Sequence, residues 1–207
     1  MSILVNKDMI KTIIFDLAEV YLMGLVGVEE KLAPILKISI KSAERGLHIK
    51  ELTDLFEGKV SENEYWRKVI KVNKWNIKVN QLKRIVRDNF QEIHGVRETI
   101  ERLRRKGFKL GLLSDHSKEW IDYCEKKFDF HKLFNSILYS FEVSVCKPNK
   151  KVYQLILDRL NAKPKECLFI DDSVRNIKSA KSLGINTIRF QNPEQLKKEL
   201  ASLSINI

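Results

Sequence analysis

The sequence predicts an α/β fold: a parallel sheet flanked by helices, with a helical cap domain inserted after the first strand. Three patterns carry this expectation. Short apolar runs of strand length fall at 12–15, 108–113, 137–139, 167–170 and 186–190. Helix-period segments lie between several of them, the alternation expected of parallel strands joined by crossover helices. The stretch from about 27 to 90 has no strong strand candidate and several segments of helical period.

Taken in order, TIIF at 12–15 is the first strand and delivers Asp16 at its end. The segments 28–37, 49–56, 62–72 and 79–90 are the helices of the cap. His94-Gly95-Val96 returns the chain to the core and leads into a helix at 97–106. Arg102, Arg104, Arg105 and Lys106 close that helix before Gly107, where cations suit the helix dipole. Val152, Leu155, Ile156 and Leu160 mark one face of another helix. The segment 177–183 is followed by Gly184, a C′ glycine. Asn192-Pro193-Glu194 reads as N-cap, first helical proline and first-turn acid of a last helix. The expected domains are a core of 1–18 and 95–207 and a cap of 19–94.

Composition narrows the function. The 207 residues carry 38 Lys+Arg against 27 Asp+Glu, a net charge of +11. Such a surface fits an anionic partner, either nucleic acid or a phosphorylated small molecule. It also fits a lysine-rich protein kept soluble. No basic run is interleaved with aromatics as a single-strand binder needs, which argues against nucleic acid. Cys124, Cys146 and Cys167 are odd in number and widely spaced, so neither a disulfide framework nor a zinc site is expected. The apolar stretch 20–28 is too short to span a membrane. The first ten residues lack the features of a signal peptide, and the expected location is cytoplasmic.

In open parallel sheets, ligands bind beyond the carboxyl ends of the strands. Asp16 follows the first run, Ser114 and Asp115 the second, the Cys146-Lys147-Pro148 turn the third, and Asp171-Asp172 the fourth. Clustered carboxylates repel unless a cation neutralises them. Mg²⁺ is a hard ion that takes carboxylate oxygens and shares its shell with phosphate. In that setting Asp16 is the candidate nucleophile, forming an aspartyl phosphate. Lys147 would balance the phosphoryl oxygens, and Ser114 would donate a hydrogen bond to them. Each residue also has a plainer reading: Asp16 as a turn cap, Ser114 and Asp115 or the Asp171-Asp172 pair as helix caps, Lys147 as a solvated lysine. His116 reads as a surface residue or a catalyst, and Trp66, Trp75 and Trp120 as packing.

These motifs resemble the haloacid dehalogenase-like hydrolase superfamily over nearly the whole chain. Asp16 in TIIFD, Ser114 after LGLL, Lys147-Pro148 with Val152-Tyr153, and Asp171-Asp172 with Asn176 match its four motifs in order. The resemblance implies a Rossmann-like core, a helical cap, and a Mg²⁺-dependent phosphohydrolase acting on a small phosphomonoester. It implies metal ligation by Asp16, the carbonyl of Ala18 and Asp172, with Asp171 and Asn176 in support.

Two positions depart from the family pattern. Most family phosphatases carry a second Asp two residues after the nucleophile, as general acid and base, and Ala18 stands there. Such help is worth about 10²–10⁴-fold, and its loss weighs most on ordinary alkyl phosphates. A branch with FDLG-type first motifs, which includes a sugar-1-phosphate phosphatase, is similar in lacking this Asp. Glu19 and His116 are the candidate replacements. Asp115 stands where relatives often have Asn; it would bind a sugar hydroxyl or orient His116. Two alternatives follow: a carbon–halogen hydrolase of the 2-haloacid dehalogenase type, and a catalytically weak binding protein.

Overall fold

The computed structural model describes residues 10–207. Residues 1–9, which begin the expected first core segment and carry the signal-peptide expectation, lie outside the described residues. Strands β1 (Thr12–Phe15), β2 (Lys109–Ser114), β3 (Ser136–Tyr139), β4 (Cys167–Asp171) and β5 (Asn186–Arg189) form one sheet in the order β3-β2-β1-β4-β5. Every neighbouring pair is parallel. All five expected strands are present, and no end is shifted by more than one residue. They read as continuous apolar runs because both faces of the sheet are covered. Ile13, Phe15, Leu168 and Ile170 enter one core, while Ile14, Cys167 and Phe169 enter the other. Gly111 in β2 has a packing reason. A Cβ there would lie 2.7 Å from Leu160 Cδ1, so its absence lets helix α9 (Lys150–Leu160) settle on the sheet.

Between β1 and α6 (Val96–Arg105) lie α1 (Val28–Leu36), α2 (Ile40–Leu47), α3 (Glu51–Phe56), α4 (Glu62–Asn73) and α5 (Val79–Arg87). The sequence reading found four of these and missed α2. That helix contains Gly46, a poor helix former. Its Gly46 is needed because a Cβ would lie 2.3 Å from Trp75 Cζ2. The chain leaving β1 and the chain returning to α6 run side by side. Met23 N donates to Gln91 O at 2.8 Å, and Ile93 N donates to Tyr21 O at 2.8 Å.

The remaining helices are α7 (Lys118–Phe128), α8 (Ser140–Val143), α10 (Val174–Ser182) and α11 (Pro193–Ser202). Helix α10 begins three residues earlier than its apolar pattern indicates. Gly184 adopts φ +82°, as its C′ role requires. Asn192 caps α11 by accepting from Gln195 N at 2.8 Å. All three cysteines are free thiols. Among the described residues, no helix is long and apolar enough to cross a membrane.

Candidate active site

The sheet order places β1 between β2 and β4, so three strand ends meet at one rim. Phe15 pairs with Ile170, which sets the following residues, Asp16 and Asp171, side by side. Asp16, Asp171 and Asp172 each offer a carboxylate oxygen, and these oxygens lie within 4.8 Å of one another. Such a donor set fits a hard divalent cation.

Lys147 sits among them, buried. Its Nζ lies 2.8 Å from Asp16 Oδ1 and 2.8 Å from Asp171 Oδ2, and it also donates to Leu113 O at 3.2 Å. Burial alone would lower the Lys147 ammonium; Asp16, Asp171 and Asp115 reverse this and hold its pKa above the ordinary value. Burial pushes the Asp16 carboxyl up, opposed by Lys147 and reinforced by Asp171. One buried lysine therefore does not neutralise the acids around it. Asp16 Oδ1 also accepts from Leu17 N at 2.7 Å, so its hydrogen bonds converge on one oxygen. Asp171 is held by Ser173 N at 2.8 Å and by Asn176 Nδ2 at 3.1 Å, as well as by Lys147. Asp172 is half-buried, and burial with neighbouring Asp171 raises its pKa.

Ser114 ends β2 and is fully buried, and its Oγ has no hydrogen-bond partner. The helix-cap role weighed for it belongs instead to Ser117, whose side chain accepts from Trp120 N. Asp115 accepts twice from Lys147 N at 3.1 Å, which bends the Lys147 turn toward β2. Burial pushes its carboxyl up to about 6. The orienting role toward His116 is not what the structure shows: His116 Nδ1 has no partner. His116 is 3% exposed rather than a surface residue, and burial lowers its imidazole to about 4. It packs between Phe56, Phe90 and Trp120 at ring separations of 6.1, 6.0 and 5.4 Å.

Ala18 and Glu19 line the same cavity, of about 520 Å³, together with Asp115, His116, Lys147 and Asn176. Glu19 has a left-handed backbone, φ +60°. Its Oε1 accepts from Gly24 N at 2.9 Å and Val26 N at 3.2 Å, shaping the loop after β1. Burial raises its pKa. The sequence reading missed part of the wall: His48 just past α2, Leu52 and Phe56 from α3, and Arg175 from α10. Trp120, read as packing, is buried and also lines the cavity.

The sequence matches a known family. The model for "haloacid dehalogenase-like hydrolase" matches residues 13–190. The chain belongs to the haloacid dehalogenase-like hydrolase family. A phosphorylated carbohydrates phosphatase of Thermotoga maritima is 31% identical over 106 residues, 51% of this chain and 49% of that protein. A (S)-2-haloacid dehalogenase of Burkholderia cepacia is 29% identical over 115 residues, 52% of this chain and 50% of that protein. The chain thus spans about half the length of these two relatives. A family enzyme of Bacteroides thetaiotaomicron, solved with magnesium and inorganic phosphate, superposes with a TM-score of 0.73 at 20% identity. The superposition covers 88% of this chain and 95% of that one, and establishes the shared fold.

Proposed function

We propose that this hydrolase is a Mg²⁺-dependent phosphohydrolase that cleaves a small phosphomonoester through an aspartyl phosphate on Asp16. The observation that carries the reading is the convergence of Asp16, Asp171 and Asp172 around Lys147. Asp16, Asp172 and the carbonyl of Ala18 would hold Mg²⁺, with Asp171 and Asn176 supporting. Bound there, Mg²⁺ supplies positive charge to the carboxylates and to the phosphoryl oxygens.

The chain's own residues supply the rest. A carboxylate oxygen of Asp16 attacks phosphorus, the bond from phosphorus to the leaving oxygen breaks, and its electron pair departs with that oxygen. Lys147 holds Asp16 in line and balances charge on the phosphoryl group. Water then attacks phosphorus, releases inorganic phosphate and returns the Asp16 carboxylate. Ala18 offers no proton to the leaving oxygen. His116 is held neutral, and Glu19 Oε1 is engaged by two amides. Leaving groups that depart without a proton, such as aryl, acyl or sugar 1-phosphates, are therefore the favoured substrates. The helices between β1 and α6 act as the cap, supplying His48, Leu52 and Phe56 to the substrate cavity.

The dehalogenase reading shares the nucleophile but gives the third carboxylate, Asp172, no task. Phosphate release from a panel of phosphomonoesters, with and without Mg²⁺, tests the proposal, with Asp16→Asn as control. Turnover that requires both Mg²⁺ and Asp16 supports it. Release of halide from a 2-haloacid without metal, and no phosphate release, overturns it.

A further inference from the structure

The cavity is much larger than the phosphoryl group that the acid cluster would take, and its walls differ. On one side stand Leu52, Phe56 and Trp120, with Phe56 and Trp120 meeting edge to face at 6.0 Å. Arg175 lines the same cavity from the first turn of α10. Apart from Lys147, it is the only Lys or Arg among the described lining residues. Lys147 is committed to Asp16 and Asp171, whereas Arg175 forms no ion pair among the described residues. A cation in the first turn of a helix opposes the helix dipole, so local helix energetics do not explain Arg175. Asp171 is held by Lys147, Ser173 and Asn176, and Glu19 by Gly24 and Val26, while Asp172, the proposed metal ligand, forms no ion pair with Arg175. From the cap side, His48 also lines the cavity, with Nδ1 bonded to Glu44 O at 2.9 Å and Nε2 left over.

We infer that the substrate's leaving group carries a second anionic group, which Arg175 binds while its planar or apolar body lies along Phe56 and Trp120. This rests on the phosphohydrolase reading and narrows it. Guanidinium is suited to such a role because its donors form a planar fork that matches carboxylate or phosphate oxygens.

Two matched pairs test it. The first is turnover of para-carboxyphenyl phosphate against para-carbamoylphenyl phosphate, in which an amide replaces the charged group at nearly the same shape. In Arg175→Gln the ratio of their kcat/KM values falls by about fivefold to tenfold, as loss of one charge-assisted contact predicts. Arg175→Lys restores part of it. Comparing ratios between variants cancels the difference in leaving-group chemistry. The second pair is calorimetric binding of para-carboxybenzyl and para-carbamoylbenzyl phosphonate, which needs no turnover. A preference for the carboxylate that Arg175→Gln removes supports the inference even where no phosphate ester is hydrolysed, an outcome that would sink only the phosphohydrolase reading. Equal handling of the pair by wild type and Arg175→Gln, or no binding of either phosphonate, overturns the inference.

Discussion

Glu62 opens α4 and is 1% exposed, yet it is fully partnered across two layers of the molecule. Oε1 accepts from the indoles of Trp66 at 3.2 Å and Trp120 at 2.9 Å, and Oε2 from Arg87 at 2.7 Å and Lys83 at 2.8 Å. Trp66 and Trp120 stack at 5.8 Å, so this carboxylate joins the inserted helices to α7, and Trp120 carries the joint to the cavity wall. In Glu62→Ala, Arg87 and Lys83 can turn to water, since their side chains are 22% and 19% exposed. The two buried indole N–H groups cannot. Two orphaned donors cost about 1–3 kcal/mol each, and with the cavity left behind the loss is about 3–5 kcal/mol. For a chain of this size that lowers Tm by about 6–20 °C. Glu62→Gln keeps an acceptor for the indoles and loses about 1–2 kcal/mol. Burial would raise the Glu62 carboxyl, but Arg87, Lys83 and Trp120 reverse this and lower its pKa. Its stabilisation is therefore complete above the unfolded carboxyl pKa of about 4.3 and fades as pH falls below it. Urea unfolding followed by tryptophan fluorescence between neutral and acid pH measures all three quantities. If the Ala and Gln variants lose the same amount, or both lose under about 1 kcal/mol, the joint is not what holds these layers together.

Three further perturbations address the site and its supports. Mg²⁺ raises the Tm of the wild type, by about 2.7 kcal/mol of stability at one hundred times its Kd, and Asp172→Asn weakens the response; a rise matched by sodium at equal ionic strength would refute metal binding at the three aspartates. Ala18→Asp raises turnover of alkyl phosphates more than that of aryl phosphates, by up to the roughly 10²–10⁴-fold that general acid–base help contributes; an equal effect on both, read as kcat, counts against the leaving-group argument. Gly46→Ala destabilises by about 1–3 kcal/mol because its Cβ would collide with Trp75. An ordinary helix would gain from that substitution, so a stabilised variant in thermal melts would show the contact to be yielding.

The parts of this molecule that sequence discloses are those set by local pattern. Apolar runs gave the five strands, and the residue just past a run located Asp16, Ser114 and Asp171, because parallel strands end at one rim. The Lys147 turn was legible for the same reason, although nothing local says that its ammonium is shared between Asp16 and Asp171. Helix α2 was hidden by Gly46, whose purpose is a contact with Trp75 in another part of the chain. Phe56, Leu52 and His48 carry no motif, and reach the cavity only through the packing of the inserted helices on the core. His116 was read as exposed because no nearby residue reveals the Phe56, Phe90 and Trp120 cage that closes round it.

That cage bears on how the enzyme manages without an acid at Ala18. An imidazole among three aromatic rings has no counter-charge, so burial lowers it to about 4 and it is neutral at pH 7. Glu19 has the opposite tendency, since burial raises it, but its Oε1 is fixed by two amides of the loop after β1. His116 is thus not arranged as a proton donor, and Glu19 keeps only Oε2 free of these amides. On the proposed phosphohydrolase reading, selectivity then falls to the leaving group, one that departs readily as an anion. The aromatic wall lines the cavity from α3 and α7, Arg175 lines it from the first turn of α10, and the carboxylates and Lys147 gather at the strand ends. On the proposed reading, the alanine at position 18 and the unpaired Arg175 bear on one question, which leaving groups the site accepts.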